Sequence, residues 1–168
     1  MVAWATPSDT WPSHNIDGRG YRHCNNRSHT SWRMNPDPQI TPAEVLRIAA
    51  FNGDEFTVRH LVAEGVDTNI NDPWGRTPLS LAAGAGHLGV VRILIDSGAW
   101  VNPHENYDIH ETPLLAAAEN GHLDIVKVLI AAGADPKLFV GQSQATPEFY
   151  ARTNGHSQVS EYLRLYSS

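Results

Sequence analysis

The sequence predicts an all-α solenoid of stacked helix-turn-helix units joined by extended inter-unit turns, or fingers. Three recurrences carry this expectation. Thr77-Pro78-Leu79 returns as Thr112-Pro113-Leu114 and, in part, as Thr146-Pro147, at intervals of 35 and 34 residues. Gly86-His87, Gly121-His122 and Gly155-His156 each follow nine residues after those threonines. Gly98-Ala99 and Gly133-Ala134 close the units. Several fixed offsets that agree at one period mark a repeat array, in which each unit buries its apolar face against its neighbours.

The first unit opens at Thr41-Pro42-Ala43-Glu44. Thr41 suits an N-cap, and Pro42 sits at the first helical position, where its missing N–H costs nothing. Glu44 three residues on completes a capping box. Stepping back 33 residues from Thr77 reaches Glu44, and Gly53 stands nine further on, where the glycine belongs. The same logic starts the later units at Thr77, Thr112 and Thr146. Inner helices are therefore expected near 42–50, 77–84, 112–119 and 146–153, and outer helices near 54–63, 87–96, 122–131 and 156–165. The units run about 41–72, 73–105, 106–138 and 139–168.

The inner helices are short and alanine-rich (Leu81-Ala82-Ala83, Ala116-Ala117-Ala118), which lets neighbouring units approach closely. The second outer helix presents Leu88, Val91, Leu94 and Ile95 on one stripe, and the third presents Leu123, Val126, Leu129 and Ile130. Gly98 and Gly133 suit the left-handed residue that ends a helix. The end units deviate as caps should. Glu55 stands at the Leu88 position, and Ser157, Ser160 and Arg164 replace Leu88, Val91 and Ile95. A polar outer face suits a unit with no outer neighbour, so Ser160→Ala is expected to be nearly silent. Four units meet the need for about three, and the array is expected to be complete.

Residues 1–40 read differently. They contain no Leu, Glu or Lys, yet carry Trp4, Trp11 and Trp32 among Pro, Ser, Asn, His and Arg. With neither a 3.6- nor a 2.0-residue apolar period, the segment is expected to be irregular. Met34 stands just ahead of Asn35-Pro36-Asp37-Pro38, so residues 1–33 read either as an upstream extension before a start at Met34 or as a native tail.

Charge narrows the function classes. Residues 1–40 hold four arginines against three aspartates, a net of +1, which leaves eight basic and fifteen acidic side chains in 41–168, a net of −7. An acidic body repels phosphate backbones, so nucleic-acid binding is not expected. No apolar run is long enough to span a bilayer, and no membrane association is expected. No secretory signal follows Met1, and the single cysteine, Cys24, excludes an internal disulfide framework. A cytoplasmic monomer is the simplest expectation.

Asn69-Ile70-Asn71-Asp72-Pro73-Trp74-Gly75-Arg76-Thr77-Pro78-Leu79 and Gly121-His122-Leu123-Asp124-Ile125-Val126-Lys127-Val128-Leu129-Ile130 resemble the inter-repeat turn and the second helix of ankyrin repeats. The resemblance covers about residues 41–166 as four repeats. It implies an ankyrin repeat solenoid acting as a protein-binding scaffold through its fingers and concave face. The family often has His after Thr-Pro-Leu, whereas Ser80, Leu115 and Phe149 stand there, so somewhat weaker inter-repeat hydrogen bonding is expected. Asn69 and Asn102 are expected to bridge their turns.

Candidate contact residues lie in the fingers. From Asn69 to Thr77 is eight residues, but from Asn102 to Thr112 is ten, so the longer period comes from an insertion within 102–111. That stretch carries His104, Glu105, Tyr107, Asp108, His110 and Glu111 with no Lys or Arg. Insertions in repeat arrays map to one edge, often the binding edge. A longer surface loop is also cheap to tolerate, so drift is the alternative. Trp74 and Arg76 sit in the preceding finger, and Trp100 takes the place of Asp67 and Asp135. By the resemblance, Phe51, Asn52, Glu119 and Asn120 look into the concave groove. A partner with a basic patch fits this surface, as in an inhibitor, an immunity-type protein or an adaptor.

No nucleophile elbow, phosphate loop, HExxH or paired cysteines appear, so no catalytic residue or cofactor is expected. His87, His122 and His156 recur at one repeat position, roughly 10 Å apart in a stack, too far to share an ion. His23-Cys24 with His14 and His29 is the only mixed cluster, and it lacks a second cysteine. A metal-dependent or catalytic role for that N-terminal cluster is the competing reading.

Overall fold

A computed structural model describes residues 40–102, 111–138 and 145–166. Among these residues eight helices alternate inner and outer: α1 (Pro42–Asn52), α2 (Glu55–Ala63), α3 (Pro78–Ala85), α4 (Leu88–Asp96), α5 (Pro113–Glu119), α6 (Leu123–Ala131), α7 (Pro147–Thr153) and α8 (Ser157–Arg164). No strand occurs among the described residues. The inner helices α1, α3, α5 and α7 pack in one row and the outer helices α2, α4, α6 and α8 in a second, with each unit's two helices packed on each other.

Each inner helix starts as its threonine dictates. Thr41, Thr77, Thr112 and Thr146 are N-caps in extended conformation, each accepting from the backbone N–H three residues on. Thr41 and Glu44 close a full capping box, the Thr41 N–H donating to Glu44 Oε2 at 2.8 Å. Ser80 does the same job in the second unit, where its Oγ accepts from the Thr77 N–H at 3.0 Å. The residue that departs from the family pattern therefore strengthens its own helix start.

The inner row is held by small residues. Ala82, Ala83, Ala116, Ala117, Ala118 and Ala151 are fully buried, and their lack of bulk brings adjacent backbones together. Histidines then pin the units. The His87 ring Nε2 lies 3.0 Å from the Phe51 carbonyl oxygen, and His122 Nε2 lies 3.1 Å from that of Gly84, each reaching into the preceding unit. Gly86 makes room for this: it has φ 86°, and a Cβ there would fall 2.8 Å from the His122 ring. Asparagines supply further links. Asn69 Oδ1 accepts from the Trp100 N–H at 2.7 Å, while Asn102 Oδ1 accepts from the Asp135 N–H at 2.9 Å and its Nδ2 donates to the Gly133 carbonyl at 2.8 Å.

Two expectations need correction. Val91, Leu94, Val126 and Leu129 are fully buried as the stripes require, but Leu88, Ile95, Leu123 and Ile130 are only partly buried. Val90, Ile93 and Ile125, off the stripe, are buried instead. A solenoid helix is covered on two flanks as well as beneath, so its buried arc is wider than one stripe and turned towards the neighbouring units. Ser160 is also not an exposed capping residue. It is 5% exposed, and its hydroxyl donates to Glu148 Oε1 at 2.8 Å. Polarity at the Val91 position is tolerated because a buried hydroxyl with a charged acceptor is satisfied. Arg164 Nε approaches the same carboxylate oxygen at 3.3 Å and Arg152 Nε at 3.7 Å, so the last unit closes on a polar cluster.

Candidate functional site: a cleft across three repeats

The first finger, between α2 and α3, is built around one carboxylate. The Asp72 side chain is only 6% exposed. Its Oδ1 accepts the backbone N–H groups of Trp74 and Arg76 at 2.9 and 2.8 Å, and its Oδ2 accepts Arg76 Nε at 2.8 Å. The Gly75 N–H donates to the Asp72 carbonyl, and the Asp72 N–H donates to that of Arg76, both at 2.9 Å. Gly75 takes φ 74°, which closes the turn at no steric cost. The result is a tight tip that holds Trp74 65% exposed. The Arg76 guanidinium lies 5.2 Å from the centre of the indole ring, within cation–π range.

A cleft of about 650 Å³ runs from this tip over the inner helices. Its lining is Trp74 and Arg76 from the finger, Glu111 just ahead of α5, Leu115 and Glu119 on α5, and Tyr150 on α7. Three units thus contribute to one surface. Glu119 lies on α5, beyond the turn that carries Glu111, and Leu115 floors the space between them.

The electrostatics are lopsided. Burial pushes the Glu111 carboxyl above the ordinary carboxylate value, and the nearby Glu119 and Asp72 charges push the same way, with Arg76 opposing. Arg76 is paired with Asp72 and offsets the acids only in part, so the cleft presents Glu111 and Glu119 as carboxylates with no ion-pair partner among the described residues. Chemically it offers two aromatic faces and two carboxylates, with no nucleophile and base in hydrogen-bond reach among its lining residues.

Of the residues singled out from the sequence, Trp74, Arg76, Glu111 and Glu119 meet in this cleft. Trp100 is half-buried and does not line it; its backbone is the donor to Asn69. Where Asp67 and Asp135 accept backbone N–H groups two residues on, at 2.9 and 2.8 Å, Trp100 has no carboxylate to do so. Phe51 is 56% exposed and Asn52 is exposed, both in the first unit and apart from the cleft lining. Asn120 donates from Nδ2 to the Ala116 carbonyl of its own helix at 2.9 Å. His104, Glu105, Tyr107, Asp108 and His110 lie outside the described residues, as do His14, His23, Cys24 and His29. Among the described residues no group of three or more His, Cys, Asp and Glu side chains is placed to hold a metal ion, and no helix is long and apolar enough to cross a membrane.

Leu115 and Tyr150 belong to the cleft but were not singled out. No sequence signal marked Tyr150: its repeat position holds Ile48, Leu81 and Ala116 in the earlier units, so a large side chain there breaks no pattern.

A family description reading Ankyrin repeats (3 copies) matches residues 46–140 and 103–167. The chain belongs to the ankyrin repeat family. Ankyrin repeats are protein-interaction modules, and this one has the stacked helix pairs and finger geometry that such binding uses. The chain is similar to an L-asparaginase of Dirofilaria immitis, 37% identical over 65 residues, covering 39% of this chain and 11% of that protein. It is also similar to a transient receptor potential cation channel subfamily A member 1 homolog of Caenorhabditis elegans, 38% identical over 58 residues, covering 34% and 5%. Inversin of Danio rerio is 31% identical over 75 residues, covering 45% and 7%. The chain therefore spans no more than about a ninth of the length of these relatives.

Proposed function

We propose that this ankyrin repeat chain is a non-catalytic, cytoplasmic module that binds a basic surface of a protein partner, as an inhibitor, immunity-type protein or adaptor. One observation carries the reading: the cleft joins an exposed tryptophan, a tyrosine and two carboxylates from three successive units. Tryptophan and tyrosine supply rigid contact area at interfaces, while acidic rims steer basic partners and speed association. The acidic insertion within 102–111 directly precedes Glu111 in the chain, so its Glu105, Tyr107 and Asp108 extend the same acidic, aromatic character.

Quantitative affinity capture with the full chain tests this against a Trp74→Ala/Tyr150→Ala variant of unchanged melting temperature. A partner with a basic surface should be retained by the natural chain and lose about 2 kcal/mol or more of affinity to the variant. Equal retention would place binding elsewhere and overturn the reading.

A further inference from the structure

We propose that the cleft is a subsite for a single cationic side chain, a lysine or arginine of the partner, held between Trp74 and Tyr150 and against Glu111 and Glu119. The inference rests on the reading of this cleft as the partner-binding surface and specifies what enters it.

Three observations point to a cation. First, charge: Arg76 is paired with Asp72 through a 2.8 Å contact and offsets the acids only in part, and the cleft's remaining charged groups are both carboxylates. Closing a neutral or apolar segment over them would strip their water with nothing in return, and an acidic or phosphorylated segment would add repulsion. Second, the walls: indole and phenol faces attract cations, and Arg76 at 5.2 Å already shows that Trp74 carries one on its ring. Third, the apolar lining: Leu115 is available for the aliphatic stem of a long basic side chain. The raised proton affinity of Glu111 agrees: burial is its first cause and the Glu119 charge its second, and an added cation would relieve the repulsion between the two carboxylates.

The probes are four blocked Gly-Ser peptides that differ only at one central residue: arginine, lysine, norleucine or glutamate. Each is titrated into the full chain and followed by backbone and indole N–H shifts. Shifts should gather at Trp74, Leu115, Glu119 and Tyr150, with the arginine or lysine peptide binding at least about threefold tighter than norleucine. Comparison of those two arms decides which cation the cleft prefers. Glu119→Gln should weaken the preferred peptide about three- to fivefold, and Glu111→Gln likewise, whereas Glu161→Gln on α8 should leave it unchanged. Equal binding of norleucine, shifts that map elsewhere, or indifference to Glu119→Gln would each overturn the proposal. The two readings separate cleanly. Loss of a native partner on Trp74→Ala/Tyr150→Ala without any cation preference overturns only the subsite, while cation preference with an unaffected native partner overturns the assignment of the cleft as the partner face.

Discussion

Glu148 shows how much one side chain can organise. Its Oε1 receives the Ser160 hydroxyl at 2.8 Å and the Arg164 Nε at 3.3 Å, with Arg152 nearby, so three residues of the last unit share one acceptor. Ser160→Ala should therefore cost about 1 kcal/mol in urea unfolding, since it removes a buried hydrogen bond to a carboxylate that keeps Arg164 as a partner. Glu111 acts in the opposite sense. Its folded-state pKa stands above the ordinary 4.5, so the folded chain holds that proton more tightly than the unfolded chain does. Ionised Glu111 thus costs stability at neutral pH, and the cost fades as pH falls through the folded pKa towards 4.5. Glu111→Gln should melt above the natural chain at neutral pH, with the difference closing below about pH 4. Thermal melts across that range check it. The same substitution is expected to weaken cation binding, so stability and recognition oppose each other at one residue.

At the scale of the helix, burial follows position in the stack rather than the stripe alone. Leu94 in α4 and Leu129 in α6 are fully buried beside inner and outer neighbours. Leu94→Ala and Leu129→Ala should each cost about 2–5 kcal/mol, as large-to-small changes in close-packed sites do, and urea titration measures both. The partly buried Ile95 and Ile130 lie at the end of the predicted stripes, so truncating them should cost less. The fingers obey a different rule. Asp72 fixes the first one through five hydrogen bonds that never leave the segment 72–76, which explains how an exposed tryptophan is held out with little help from the core.

Among the described residues, each unit packs mainly on the next, through the inner row, the outer row and the histidine and asparagine bridges. Stability is then a sum of unit and interface terms. Leu129→Ala should raise amide exchange in the third and fourth units while leaving α1 and α2 protected, a separation that hydrogen-exchange mass spectrometry reads directly. Uniform loss of protection would instead mean that the stack unfolds as one body.

What the sequence by itself determined is the periodic part. The Thr-Pro caps, the Gly-His turns and the apolar spacing set eight helices, and the observed bounds fall within about two residues of those expected. These signals are local: a cap or a left-handed glycine acts on the next four residues and is read without knowing the fold. The acids and tryptophan of the finger were legible for the same reason, since they interrupt a strict pattern. Only the tertiary structure decided which of them share a surface. It joined Trp74 to Tyr150, residues 76 positions apart in the chain, and set Glu111 beside Glu119 and Asp72. It also turned Ser160 inward. Such outcomes depend on the rotation of one unit against the next, which is fixed by alanine contacts between inner helices and by His87 and His122 reaching back to carbonyls of the preceding unit, and no local signal encodes that rotation.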